Sequence, residues 1–359
     1  MPIRTHELKI GIGISKQTGT GLPGTTAAQL QTALGAGALR SFGISAFNTP
    51  VPQFNKEDNA EFYGKGHEFV TQVFPTSIDA PWEWPTPFLS SQAWAMATVF
   101  TLGKTTESNP GTGAYQYVTT VMDPATDGVN LPATTIVAGL RQGTAGEALD
   151  QALVGCVCTG FTLNVRSGPG LQNSQLTSRW LGCGKFVQNS GLTIPSAYPE
   201  HRLGAGGTTG LTINGVDYVA NSQFVNFEFT YETGLIPDAG YFVGSGSQND
   251  YDIRGRMRYG IRKLTFVWEA ELESTSTQLS DLLNGVQGQT TITMEGATIT
   301  GAIKHTATIF FPWIQHRAVS YGDVNGFTTI RVTTDVQYGT TLAGPVSLTA
   351  ITDITGIGQ

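Results

Sequence analysis

Gln223-Phe224-Val225-Asn226-Phe227-Glu228-Phe229-Thr230-Tyr231-Glu232 alternates without a break: Val225, Phe227, Phe229 and Tyr231 point one way, Asn226, Glu228, Thr230 and Glu232 the other. A period of two is the mark of a strand with one buried face and one wet face. The same pattern returns from Ile261 to Glu273, where Phe266, Trp268, Ala270 and Leu272 stand opposite Glu269, Glu271 and Glu273. A glycine-rich excursion from Leu235 to Gly260 separates the two. Beyond the second strand, Ser274 to Thr277 offer N-cap hydroxyls, and Leu279, Leu282, Leu283 and Val286 space a short amphipathic helix. Further strands are expected at Thr290 to Glu295, Thr298 to Pro312, Phe327 to Tyr338 and Val346 to Thr352.

Working outward, the first half has the same order of elements. Glu61 to Phe74 has strand composition. Thr86-Pro87 reads as an N-cap followed by proline at the first helical position. Leu89, Ala93, Met96, Ala97 and Phe100 then give a helix one apolar stripe, which Gly103 would stop. Tyr115 to Met122, Val154 to Arg166 and Leu176 to Val187 read as strands. The segment before residue 46 contains a strand-like Leu8 to Ile14 and a helix-like patch from Thr26 to Leu39. The expected division is an arm and lead-in over 1–45, a module over 46–190, a Gly/Pro-rich linker over 191–210 and a second module over 211–359, each half with its own core.

Composition agrees with a β-rich self-associating chain. Of 359 residues only 13% are charged, against roughly a quarter in ordinary globular domains. A surface buried against copies of itself is depleted in charge. The chain carries 45 glycines and 17 prolines, which punctuate short strands. A formal net charge of −7 argues against gripping nucleic acid, which needs clustered cations. No apolar stretch is long enough to span a bilayer, and Met1 to His6 lacks a signal-peptide core, so a cytoplasmic place of synthesis and no membrane anchor are expected. Three cysteines make no disulfide framework.

Several of these stretches resemble the tail tube proteins of long-tailed bacteriophages. Ser222 to Phe229 resembles the family's opening strand, the 235–260 excursion its long inter-strand arm, and Trp268 to Glu273 followed by Leu279 to Leu283 its strand leading into a single helix. The Thr298 to Pro312 strand with its aromatic end (Phe310, Phe311, Trp313) fits as well. Gly155 to Leu163 with Trp180 to Lys185 resembles a hairpin of the two-module members, and Pro52 to Gly66 their first-half pattern. The resemblance implies a mainly β fold of two β-sandwich modules, each with one short α-helix, that form an inner β-barrel on ring assembly. It implies a structural virion protein: a ring of three two-module chains, or of six, stacked axially into a hollow conduit for DNA ejection. The partners implied are further copies and other tail proteins such as tape measure, terminator and baseplate. DNA would pass without specific binding, in a tail assembled in the host cytoplasm.

Candidate site residues follow. Glu228, Glu232, Glu269, Glu271 and Glu273 share a strand face and would line the lumen with like charge, although alternation fixes only which residues share a face, not which face lies inside. Tyr241, Phe242, Asp250, Tyr251, Asp252, Arg254, Arg256 and Arg258 on the excursion would form an arm stacking ring on ring, helped by the Ser167 to Ser174 loop. No catalytic residue, metal site or cofactor is expected. Cys156, Cys158 and Cys183 lack the spacing of a zinc site and read as small buried hydrophobes. Ile10-Gly11-Ile12-Gly13-Ile14-Ser15-Lys16 lacks the glycine spacing of a phosphate loop. Other readings are a baseplate or decoration component of similar fold, or a receptor- or carbohydrate-binding module, for which Trp82 and Trp84 beside Pro81 and Pro85 are the only aromatic candidates.

Overall fold

A computed structural model describes residues 8–16, 39–46, 48–49, 51, 53–58, 73–128, 131–141, 147–168, 173–182, 186–188, 192, 194–195, 198–204, 208–213, 215–218, 224–235, 259–273, 276–324, 326–340, 342 and 344–359. The chain opens with β1 (Leu8–Gly13), β2 (Leu39–Ser41), β3 (Gln53–Asp58), β4 (Val73–Pro85) and the helix α1 (Ser91–Leu102). Six strands follow before the second half is under way: β5 (Gly103–Gly111), β6 (Ala114–Val121), β7 (Ala133–Arg141), β8 (Glu147–Arg166), β9 (Ser174–Gly182) and β10 (Phe186–Gln188). The second half adds β11 (Thr208–Ile213), β12 (Val216–Asp217), β13 (Phe224–Glu232), β14 (Lys263–Glu271), α2 (Gln278–Asn284), β15 (Gln287–Thr300), β16 (Ile303–Val324), β17 (Phe327–Gln337) and β18 (Ser347–Thr352). The protein is mainly β, with antiparallel pairing throughout.

The pairings repeat. In the first half β1 pairs β2 and β7, β7 pairs β8, β8 pairs β10 and β9, β9 pairs β4, and β4 pairs β3. In the second half β11 pairs β12 and β15, β15 pairs β16, β16 pairs β18 and β17, β17 pairs β14, and β14 pairs β13. One scheme, run through in the same chain order, accounts for both, with the β5–β6 hairpin as an addition to the first half. Each scheme turns on one long strand, β8 or β16, whose two ends pair with different strands.

Two ladders join the halves. Gly160–Arg166 of β8 pairs with Asn226–Glu232 of β13, and β18 pairs along β6 from Ser347↔Thr120 to Thr352↔Tyr115. The first ladder links eight strands in the order β3-β4-β9-β8-β13-β14-β17-β16, four from each half, with β3 carried as a hairpin on Val73–Asp79 of β4 and β9 paired to its Ala80–Pro85 stretch. One contiguous core draws on both halves. The expectation of a separate core for each half therefore gives way: alternating apolar faces on β8 and β13 bury most area when they lie side by side in one sheet.

The core layer is aromatic. Phe161 lies T-shaped against Phe229 (5.5 Å between centroids) and against Trp94 of α1 (5.5 Å), and Phe229 and Phe266 both meet Phe311 of β16 at 5.3 and 5.1 Å. Full burial of such rings stabilises the fold by roughly 1.5–3 kcal/mol each, and favourable ring pairs add about 0.5–1.5 kcal/mol.

α1 differs from its expected form in two ways. Its N-cap is Ser90, whose hydroxyl accepts from the Ala93 N–H, rather than Thr86. Thr86 is already committed: its hydroxyl donates to the Leu176 carbonyl and its N–H does the same, which keeps the chain extended until Leu89. The helix also buries every residue, not one stripe. Its polar positions are satisfied locally, Thr98 by the Trp94 carbonyl and Gln92 by Asp353. Gly103 ends it with φ 85°, a left-handed cap that favours glycine.

Elsewhere, β1 is no free arm: Ile10, Ile12 and Ile14 are buried and the strand is paired on both sides. The linker is not a solvated spacer either, since Leu192, Ile194 and Leu203 are buried. The polar hairpin strand β5 escaped the sequence reading. The Thr26 helix patch and most of Glu61 to Phe74 lie outside the described residues.

Candidate functional site

The eight-stranded sheet has one face against α1 and the core and one face that, among the described residues, no other element of the chain covers. Cross-strand registers place Glu83, Arg179, Glu232 and Lys263 on the free face, together with Arg166, Glu228, Glu269, Glu271 and Arg331. Four of the five predicted acids are therefore brought together. Glu273 lies past the end of β14, where its N–H donates to the Ser276 hydroxyl. The face is not the like-charged row that β13 and β14 suggest alone. Glu269 sits in register with Arg331 and accepts from Asn226 Nδ2 at 2.7 Å and Thr329 Oγ1 at 2.6 Å. Glu232 is opposite Lys263 and 3.4 Å from Arg179. Partly exposed pairs of this kind contribute at most about 1 kcal/mol. Their larger effect is on the field: Arg179 is paired with Glu232 and Arg331 stands in register with Glu269, so among the described residues these cations sit beside acids rather than in a cluster that could hold phosphates.

Two edges of this sheet are open. Among the described residues, β3 pairs only with β4, and residues 316–324 of β16 pair only with β17. The β16–β17 hairpin runs beyond the sheet, with Tyr321 55% and Phe327 62% exposed. α2 adds to this apolar surface. It docks through Gln278, Asp281 and Leu282, while Leu279, Leu283 (77% exposed) and Val286 face outward. The expected amphipathic helix is present, but its apolar stripe is not covered by its own chain. Its first-half counterpart α1 is covered by β5, β6 and β18, and among the described residues the second half has no hairpin equivalent to β5–β6.

The arm residues Tyr241, Phe242, Asp250, Tyr251, Asp252, Arg254, Arg256 and Arg258 lie outside the described residues, as do residues 169–172 of the Ser167 to Ser174 loop. The root of the excursion is described. β13 and β14 are paired down to Glu232↔Lys263, and the Gly260 N–H donates to the Thr233 carbonyl at 3.0 Å. At Gly234, φ is 62° and an added Cβ would lie 2.1 Å from the Ile261 carbonyl oxygen, so glycine is required at this turn.

The remaining candidates resolve simply. Cys156 and Cys158 are fully buried on β8, and burial pushes the Cys158 thiol up to about 11, away from nucleophilic use. Trp82, 3% exposed, and Trp84 are core residues and offer no open stacking platform. A 400 Å³ groove beside them is lined by Pro81, Glu83, Arg179, Glu232 and Leu235.

One cluster was missed by sequence reasoning. His201 of the linker, His305 of β16 and Asp353 beyond β18 bring their ligand-capable atoms within 4.8 Å of one another. They are far apart along the chain, and only the fold assembles them.

No helix among the described residues is long and apolar enough to cross a membrane. Compared with protein-family models, the chain matches none, and a comparison with curated proteins finds no match.

Proposed function

We propose that this chain is a structural building unit, the major tail tube subunit of a long-tailed bacteriophage, which closes into rings through its open sheet edges and stacks into a hollow conduit for DNA. The observation that carries the reading is the internal joint between β8 and β13. In the repeated pairing scheme β16 is the counterpart of β8, and β3 that of β13. The free edge of β16 and the free edge of β3 are thus the two halves of a joint already made once inside the chain. Strand directions alternate across all eight strands, so β16 of one copy would meet β3 of the next antiparallel. An edge of this kind left bare is an aggregation hazard, and pairing with another copy removes it.

With eight strands per chain, three chains would give a closed sheet of about twenty-four strands, a barrel wide enough for a channel. The free face, where acids are interspersed with the cations, would then line the channel, so that passing phosphates meet carboxylates as well as cations. The small charged fraction and the outward Leu283, Tyr321 and Phe327 support burial between copies.

Negative-stain microscopy of concentrated purified protein tests this. Hollow tubes, or closed rings with threefold symmetry, are the expected images. A population that stays monomeric at high concentration would overturn the reading.

A further inference from the structure

His305 is 1% exposed and stacks on His201 with ring centroids 4.1 Å apart. Its Nδ1 lies 2.8 Å from the buried Ser91 hydroxyl, which leaves Nε2 for the cluster. Asp353 is held as firmly: Gln92 Nε2 donates to its Oδ1 at 3.0 Å and Thr352 Oγ1 at 3.2 Å. The Oε1 of the same Gln92 accepts the His201 backbone N–H at 3.3 Å, so one amide holds both Asp353 and the His201 main chain in place. An imidazole fixed through its other nitrogen, and a carboxylate held by outer hydrogen bonds, are the supports that metal ligands commonly have.

From this geometry we infer that His201, His305 and Asp353 form a divalent transition-metal site, best suited to Zn²⁺, that clips the linker to the second-half strands. Two imidazoles and one carboxylate match the hard–soft balance of zinc, and three protein ligands leave a fourth position for water. Zinc–ligand bonds of about 2.1 Å bring donors roughly 3.4 Å apart, so uptake from a spacing of up to 4.8 Å needs closure of as much as about 1.4 Å, and the stacked His201 ring must turn so that both imidazole lone pairs meet one ion. His201 is only half-buried, which leaves its ring room to turn.

The site would act as a staple. His201 comes from the segment between the halves, and His305 and Asp353 from the second half. Through Gln92 and Ser91 the cluster also touches the first turn of α1 in the first half. This role does not depend on the ring proposal and is tested separately.

Tag-free full-length chain would be stripped with chelator, then titrated with Zn²⁺ by calorimetry and melted with and without excess metal. One Zn²⁺ per chain and a rise in Tm of about 3–6 °C at hundredfold excess over Kd are expected. Co²⁺ should give the visible d–d bands of a low-coordinate site. The folded variants His201→Gln and Asp353→Asn, both changed at half-exposed positions, should lose stoichiometric binding, the Tm rise and the Co²⁺ bands. Failure of the parent chain to bind Zn²⁺ with micromolar or better affinity would overturn the assignment. So would undiminished binding in the double variant.

Discussion

Trp94 joins elements that no local pattern connects. Its ring meets Phe161 of the eight-stranded sheet, and its indole N–H donates to the Thr349 carbonyl of β18 at 3.1 Å. Trp94→Ala should cost about 3–5 kcal/mol in urea unfolding, through the cavity left and the carbonyl orphaned. Spacing picked out Leu89, Ala93, Met96, Ala97 and Phe100 and passed over Trp94, because a stripe is the signature of a one-sided helix and α1 is covered on every side. A second residue sets a pH response. His316 is buried near Trp268, and its desolvation lowers its pKa, with Asp281 opposing. The unfolded chain takes up this proton near pH 6.5 and the folded chain does so only lower. Its contribution is therefore complete above about pH 6.5 and is lost as pH falls. His316→Gln should lose less stability than the parent between about pH 6.5 and 5, measured as urea midpoints at each pH.

At the scale of elements, the excursion leaves and re-enters beside one antiparallel ladder, closed at its root by Thr233 and Gly260. Removing residues 240–255 should thus leave a cooperatively folded chain, with Tm within a few degrees of the parent by circular dichroism, that no longer forms tubes. Tubes of normal length from this deletion would refute a stacking arm. β13, β14 and β17 were legible because each buries one face and alternates accordingly. β5 was not: Gly103–Gly111 is polar, half of it exposed, and its strand state comes from pairing with β6 rather than from its own side chains. The start of α1 was misjudged because Thr86 carries a capping hydroxyl whose bonds go to β9. The acid face was half legible, since periodicity groups Glu228 with Glu232 but cannot show that Arg331 and Lys263 stand beside them.

For the whole molecule, the repeated pairing scheme makes α2 the bare counterpart of α1, and Leu283 the most exposed residue of its apolar stripe. Leu283→Glu should change subunit stability by no more than about 0.5 kcal/mol, as surface substitutions do. In the proposed assembly it should nevertheless weaken tube formation, read as a higher critical concentration in light scattering. An unchanged critical concentration would mean that α2 faces solvent in the polymer as well.

The β6–β18 ladder has a consequence for biosynthesis. Strand partners 115–120 and 347–352 are separated by nearly two-thirds of the chain. Such distant pairing makes closure slow, and on a ribosome the waiting time is longer still. At about 5–20 residues per second, some 12–46 s pass between translation of β6 and of its partner. Throughout that interval the nascent first half carries an unzipped flank and an indole without its acceptor, so slower expression, or co-expressed chaperones, should raise the yield of folded chain.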